Sequence, residues 1–372
     1  MGLGGRPRRI LHIITDLDVG GAETMLQQIA TSRNSWAEET QVVSLLPGGF
    51  HAASLRAAAV PVTELDFRSP MALLPSFIAL TRLIRSFRPA VVQGWMYHGD
   101  LAALLATKAS GLRGETKVVW GIRCSDMDLD RYGAVLRMVV RLCASLSALP
   151  DLVTSNSEAG LKAHGVLGYR PRRSEIVYNG VDTDRFRPDA EERKIVRAEL
   201  HIDQRAIVVA HVARVDPMKD HALMIAAAGR LPDIKALLIG AGTEHLDAPT
   251  NVRRLGRRFD IPRLLAASDF IISSSAFGEG FSNALAEGMA CGLPAIATDV
   301  GDAKLIVGDA GFVVPPGRAD DLAGAISSLA GQSPEARTQL GGKARARIVE
   351  QFSLERAVKR FAEIYNGLTL NR

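Results

Sequence analysis

Residues 273–301, SSSAFGEGFSNALAEGMACGLPAIATDVG, decide the fold. The apolar run Phe270-Ile271-Ile272 that delivers them reads as a strand, Gly278 and Gly280 break the chain, and a helix opens near Ser282 or Asn283. Glu279 in the loop and Glu287 inside the helix bracket that helix start. Free backbone N–H groups at a helix start attract anions, and carboxylates beside them can accept hydrogen bonds from sugar hydroxyls. The pattern suits a nucleotide-sugar cradle, and it equally suits a plain capped helix; spacing alone leaves both readings open.

Working outward, residues 206–212 form an apolar strand whose following loop holds Arg214, Asp216, Pro217 and Lys219 before a helix over 221–229. Two fixed cations at a strand–helix junction match a diphosphate, or else make a surface charge pair. The strand-and-glycine pattern returns at 234–242, a short strand follows at 252–256, and a small helix spans 261–267. After 295–298 and 311–317, helices over 319–329 and 335–350 complete an α/β series, and an amphipathic helix closes the chain.

The first half reads the same way. Residues 9–14 are an apolar strand, followed by a loop with Gly20-Gly21 and a helix through Glu23 to Ile29. This lacks both the G-x-G-x-x-G dinucleotide pattern and a G-K-[ST] phosphate loop, so the paired glycines serve either close backbone approach to a ligand or a tight turn. Residues 71–87 form an apolar helix interrupted by Pro75 and edged with arginines, suited to packing on a sheet or to touching a membrane. The strand over 90–93 ends at His98 and Asp100, and the strand over 118–123 ends at Arg123; ligands bind beyond such carboxyl ends in open parallel sheets. The turn and proline at 180–188, before a charge-rich helix, are the best domain boundary.

Composition bounds the function. A 372-residue chain with 47% hydrophobic and 23% charged residues is a folded protein of two domains by length. The net charge of +5 arises entirely within residues 1–180, the remainder being neutral. A basic first half suits an anionic membrane surface or a polyanionic acceptor, and equally a merely solubilising surplus, whereas 5% aromatics without basic–aromatic interleaving argue against nucleic acid. Cys124, Cys143 and Cys291 are scattered, which fits a reducing compartment and no metal cluster. Asp16-Leu17-Asp18 and Asp128-Leu129-Asp130 have the letters of a D-x-D metal motif without its context. No apolar run is long enough for a membrane span, so the expected location is cytoplasmic or peripheral on the inner membrane face.

With these motifs in order, GGAE at 20–23, NGVDTDRFRP at 179–188, ARVDPMKD at 213–220, IGAG at 239–242, GEGFSNALAEGMACGLPAIATDVG at 278–301 and GFVVPP at 311–316, the chain resembles the retaining glycosyltransferases of family 4 over nearly its whole length. The resemblance implies the GT-B fold, two doubly wound Rossmann-like α/β domains facing each other across a cleft. It implies an acceptor-side domain over 9–180, a linker at 181–190, a donor domain over 191–350 and a terminal helix, 351–369, packing back on the first domain.

By the same resemblance Gly20 and Gly21 lie near the donor phosphates, His98 beside the transferring sugar, and Arg214 and Lys219 on the diphosphate. Glu279 contacts sugar hydroxyls and Glu287 the nucleotide ribose, while the amides of Gly280, Phe281 and Ser282 complete the pocket. The implied reaction moves a hexosyl group from a UDP- or GDP-linked sugar to a saccharide or polyprenyl-diphosphate-linked saccharide. The nucleotide sugar is then a co-substrate, and no metal or other cofactor is required. A nucleotide-sugar epimerase of the same architecture and a non-catalytic nucleotide-sugar-binding protein are the alternatives. Two departures stand out: Lys219-Asp220 where Lys-Gly is commoner, and Asp-Ala-Lys-Leu-Ile after Gly301 where Gly-x-x-Glu-Leu is usual.

Overall fold

A computed structural model describes residues 8–32, 39–125 and 133–370 of the chain. Two compact units divide it. One runs to Tyr178 and includes the segment from Ala357 onward, and the other is Asn179–Arg356.

In the first unit, β1 (Arg9–Ile14), β2 (Glu39–Ser44), β3 (Val62–Glu64), β4 (Val91–Trp95), β5 (Lys117–Ile122), β6 (Leu152–Ser155) and β7 (Ser174–Ile176) form one parallel sheet in the order β3-β2-β1-β4-β5-β6-β7. The central strands are almost wholly buried, as helices covering both faces of a parallel sheet require. Strand order reverses between β1 and β4, and their ends coincide, Ile14 standing opposite Trp95. Such a reversal opens a crevice at the carboxyl edge, because the loops leaving the two strands turn to opposite faces.

β4 passes into the helix Met96–Ala109 without an intervening loop. Met96 makes that turn at φ +63°, a left-handed conformation costing a side-chain-bearing residue about 1 kcal/mol or more. Gly99 lets the first turn of this helix lie against β1, since a Cβ there would stand 2.5 Å from the Ile13 carbonyl oxygen. The helix Pro70–Phe87 runs through Pro75 where an interruption was expected. Pro75 withholds the amide that would bond the Met71 carbonyl, and Met71 is 90% exposed, so water can take the amide's place.

The helix Leu354–Leu370 supplies Phe361 and Tyr365 to this unit. The ring of Phe361 lies 6.0 Å from that of Trp95, and the Tyr365 hydroxyl donates to Gln93 Oε1 at 3.2 Å.

In the second unit, β8 (Val208–Val212), β9 (Lys235–Ile239), β10 (Val252–Arg254), β11 (Phe270–Ser273), β12 (Ala295–Thr298) and β13 (Gly311–Val314) form a parallel sheet ordered β10-β9-β8-β11-β12-β13. Its reversal lies between β8 and β11. The wholly buried Arg197 staples the opposite edge. Its guanidinium donates to the carbonyls of Ala267, Asp203, Gln204 and Ala206 and to Asp269, whose carboxylate also accepts the Val208 amide at 2.7 Å. A buried cation is tolerated when its donors are satisfied in this way.

Candidate active site

The strand reversal of the second unit brings together the two loops singled out by sequence. The loop after β8 continues through a single 3-10 turn, Pro217–Lys219, capped by the Asp216 side chain, which accepts the Met218 amide at 3.0 Å. Asp220 follows at φ +43°, the left-handed region where glycine is most at ease, which explains why Lys-Gly is the commoner pair there. Its carboxylate offsets part of the strain by capping the helix His221–Gly229, accepting the Leu223 amide at 3.0 Å. The loop after β11 is tied to this turn through the Ala276 amide, 2.8 Å from the Met218 carbonyl oxygen.

Across the junction, Lys219 Nζ is bonded to Glu279 Oε2, and Ser275 Oγ reaches the same oxygen at 3.3 Å. Glu279 and Ser275 are buried and Lys219 is largely so. Arg214 stands on the same loop but is exposed, and its guanidinium turns to Asp216 Oδ2 at 3.2 Å.

Behind Lys219 lies a histidine cluster that sequence reasoning missed. Ser274 Oγ is within 2.9 and 3.1 Å of the Lys219 and Asp220 carbonyl oxygens and 3.0 Å from His211 Nε2. The His211 and His221 rings meet edge to face at 4.7 Å. Burial first, then the neighbouring His221 and Lys219, lower the His211 pKa to about 3, so this ring is neutral. The backbone bearing Lys219 is thus held from behind by uncharged groups. Its one sequence signal was the run Ser273-Ser274-Ser275 at a strand end.

The helix Asn283–Ala290 begins at Ser282, whose side chain makes no capping hydrogen bond. Gly280 accepts the Asp302 amide at 3.2 Å, and the buried Phe281 ring packs 5.3 Å from that of Phe352, pinning the loop. Glu287 is half-buried on this helix; desolvation raises its pKa to about 7 against a smaller opposing pull from Arg185. Gly301 adopts φ +60°, and a Cβ on it would overlap the Glu279 carbonyl oxygen. Gly301→Ala is therefore expected to cost about 3 kcal/mol or more, through left-handed strain and a clash with backbone. Urea denaturation measures it, and a loss under about 1 kcal/mol would show that the close approach is not needed.

The remaining sequence candidates lie in the first unit. Gly20 is the residue before the helix Gly21–Thr31, which opens with Gly21 at the end of the loop leaving β1. His98 sits in the first turn of the helix leaving β4, so all three residues stand on the segments that leave the two strands flanking the reversal. His98 is half-buried, and burial lowers its pKa.

Beneath it, Asp100 Oδ1 accepts the Gly121 amide at 2.8 Å, and burial raises its pKa against the pull of that amide and of Arg123. Arg123, at the strand end, does not reach outward beyond the sheet edge. It is 8% exposed and lies 4.3 Å from the Trp95 ring centre and 5.5 Å from that of Phe361. Burial lowers its pKa to about 10, still charged at neutral pH. Trp95 Nε1–H donates to His12 Nδ1 at 3.1 Å, a contact that needs neutral His12, and burial supplies it by lowering that pKa to about 3.

Among the described residues, no three His, Cys, Asp or Glu side chains are grouped to hold a metal ion. Asp128-Leu129-Asp130 lies outside the described residues.

Residues 19–185 match Glycosyltransferase Family 4, and residues 206–332 match Glycosyl transferases group 1. The chain belongs to the family 4 glycosyltransferases. The first match ends just past the boundary between its units, and the second lies wholly within the second unit. Among curated relatives, this glycosyltransferase is 32% identical over 182 residues to a D-inositol 3-phosphate glycosyltransferase of Mycobacterium sp. (strain KMS), covering 44% of this chain and 41% of the relative. It is 31% identical over 245 residues to that of Rhodococcus erythropolis, covering 59% and 54%. The chain thus spans about half the length of the curated relatives it matches.

Solved structures share the GT-B fold of this glycosyltransferase. Anabaena HepE in complex with UDP and glucose superposes with a TM-score of 0.84 at 22% identity, covering 97% of this chain and 100% of that one. A Rickettsia africae glycosyltransferase gives 0.82 at 20% identity, covering 99% and 100%. WaaG, a glycosyltransferase involved in lipopolysaccharide biosynthesis, gives 0.72 at 16%, covering 96% and 100%.

Proposed function

We propose that this chain is a retaining glycosyltransferase that moves a hexosyl group from a UDP- or GDP-linked sugar to a saccharide or lipid-linked saccharide in polysaccharide or glycolipid assembly. The observation that carries this reading is the Lys219–Glu279 pair, held at the strand reversal of the second unit beside the start of the helix Asn283–Ala290. An arriving diphosphate replaces Glu279 as the partner of Lys219 and leaves the carboxylate to accept from sugar hydroxyls. As the sugar–phosphate bond breaks, negative charge grows on the diphosphate, and Lys219 with the amides at that helix start stabilise it most at that moment. Arg214, exposed on its loop, serves as a second cation, and Glu287 takes the ribose hydroxyls. Neutral His98 orients the sugar as a hydrogen-bonding group. Complexes of HepE with UDP and with UDP-glucose support the donor class, and WaaG supports the polysaccharide setting.

A thermal-shift screen of UDP-, GDP-, ADP- and dTDP-sugars tests the reading. A donor at a hundred times its Kd stabilises the folded state by about 2.7 kcal/mol, worth several degrees in Tm. A UDP- or GDP-sugar is expected to produce that shift, and no shift with any of the four would remove the proposal. With the donor in hand, a product assay separates transfer to an acceptor from the two alternatives. Altered free nucleotide sugar without acceptor would make the protein an epimerase, and binding without turnover across a broad acceptor panel would make it a binding protein.

A further inference from the structure

The loop from Ala213 to Asp220 carries both cations of the donor reading, yet its own side chains do little to hold it. Its single 3-10 turn, Pro217–Lys219, contains no fully buried side chain, and one such turn is too short to be stable alone. Its position is set from behind. Three successive carbonyls, those of Met218, Lys219 and Asp220, accept from the segment after β11, the first from the Ala276 amide and the other two from the Ser274 hydroxyl. Thr298, at the end of β12, holds that segment in turn by donating to the Ser275 carbonyl at 2.6 Å. Ser274, Ser275 and Thr298 are all buried.

Proton placement follows from the partners. A hydroxyl has one proton, and His211 Nε2 also lies 3.0 Å from Ser274 Oγ. Were that proton given to Nε2, both carbonyls would lose it, and the ring's own proton would sit on Nδ1 as a buried donor with no partner. With a proton on Nε2 instead, the hydroxyl is shared between the two carbonyls while its oxygen accepts from the ring. His221 takes the same tautomer, because its Nε2 lies 3.2 Å from the Ala213 carbonyl oxygen, which can only accept. Burial keeps both rings neutral. Each histidine thus ties the far end of the loop. His211, ahead of it on β8, holds Lys219 and Asp220 through Ser274, and His221, behind it, holds Ala213.

We infer that Ser274, oriented by His211, is a positioning residue for Lys219, fixing the turn that brings its ammonium group to the diphosphate. This rests on the donor reading, in which Lys219 meets that diphosphate. Ser274 touches no substrate; it acts through the backbone of the turn, and the two histidines keep its hydroxyl aimed at the carbonyls without placing a second positive charge beside Lys219.

Calorimetric titration of the full chain with free UDP and free GDP tests this, since a free nucleoside diphosphate already bears on its terminal phosphate the charge that the leaving group gathers. Ser274→Ala is expected to weaken the tighter of the two by about tenfold, and His211→Leu to do the same. His211→Gln, which keeps a side-chain N–H donor, should stay within about threefold of the unmodified chain. Added to Lys219→Ala, Ser274→Ala should change affinity by less than about twofold, because the group it positions is gone. A merely structural role predicts the full loss in both backgrounds, and that result would overturn the inference. The unmodified chain offers a measurement that needs no variant. Long-range proton–nitrogen correlation spectra are expected to show His211 as the neutral Nε2–H tautomer from about pH 5 to about pH 9, and an Nδ1–H tautomer would overturn the inference too. The two readings fail separately. No affinity for either nucleotide removes the donor reading and this inference with it. Affinity that Lys219→Ala reduces, with a further full loss from Ser274→Ala, removes the inference alone.

Discussion

Lys219→Ala is expected to lower kcat/KM by about 10²–10³-fold, the loss typical of removing one group that stabilises developing charge in a water-poor site. The drop should fall mainly on kcat, since the cation matters most when the leaving diphosphate gathers charge. Lys219 is also the partner of buried Glu279, so removing it leaves a carboxylate short of its counter-charge. That costs about 3–5 kcal/mol when both groups are fully buried, and less here because Lys219 retains some exposure. Stability and catalysis must therefore be measured separately. Lys219→Ala/Glu279→Gln removes the orphaned charge and should recover much of the urea stability without recovering turnover. Wild-type turnover in Lys219→Ala would remove the clamp from the mechanism.

Donor affinity should rise about tenfold between pH 6 and pH 8, and Glu287→Gln should abolish that rise. A carboxyl group accepts two ribose hydroxyl donors only when ionised, and Glu287 in the free protein ionises at about 7, its pKa raised by desolvation. Below that pH, binding must first expel a proton; above it, the site is ready. Titration calorimetry with a nucleotide sugar, whose diphosphate keeps its charge through this range, reads the effect directly.

Linkage also fixes the sign for stability. A carboxyl group with a raised folded pKa holds its proton more tightly in the native state. Its contribution therefore favours the fold at acid pH, declines as pH climbs from about 4.5 to about 7, and is level beyond. Because Glu287 is half-buried, solvent screening keeps that decline well below what full burial would give. A pH-independent donor affinity in the unmodified protein would detach Glu287 from the ribose.

The doubly repeated strand–loop–helix order, the loop around Glu279 and the cations at 214 and 219 were legible in the sequence, because apolar runs, glycines and capping residues act over a few neighbours. Pro75 shows the limit of such local signals, since its helix continues where the freed carbonyl belongs to a residue in water. Arg123 shows a second limit: its place at a strand end was readable, but its burial against Trp95 depends on Phe361, far along the chain. The contact between Lys219 and Glu279, 60 residues apart, exists only because β8 and β11 are neighbours at a strand reversal, and that order is set by how the crossovers pack. The raised pKa of Glu287 likewise appears only after folding. Residue types and their local order were thus determined by the sequence alone. Which of them meet, and how much water each one loses, was decided by tertiary packing, because desolvation and non-local pairing are properties of an assembled environment.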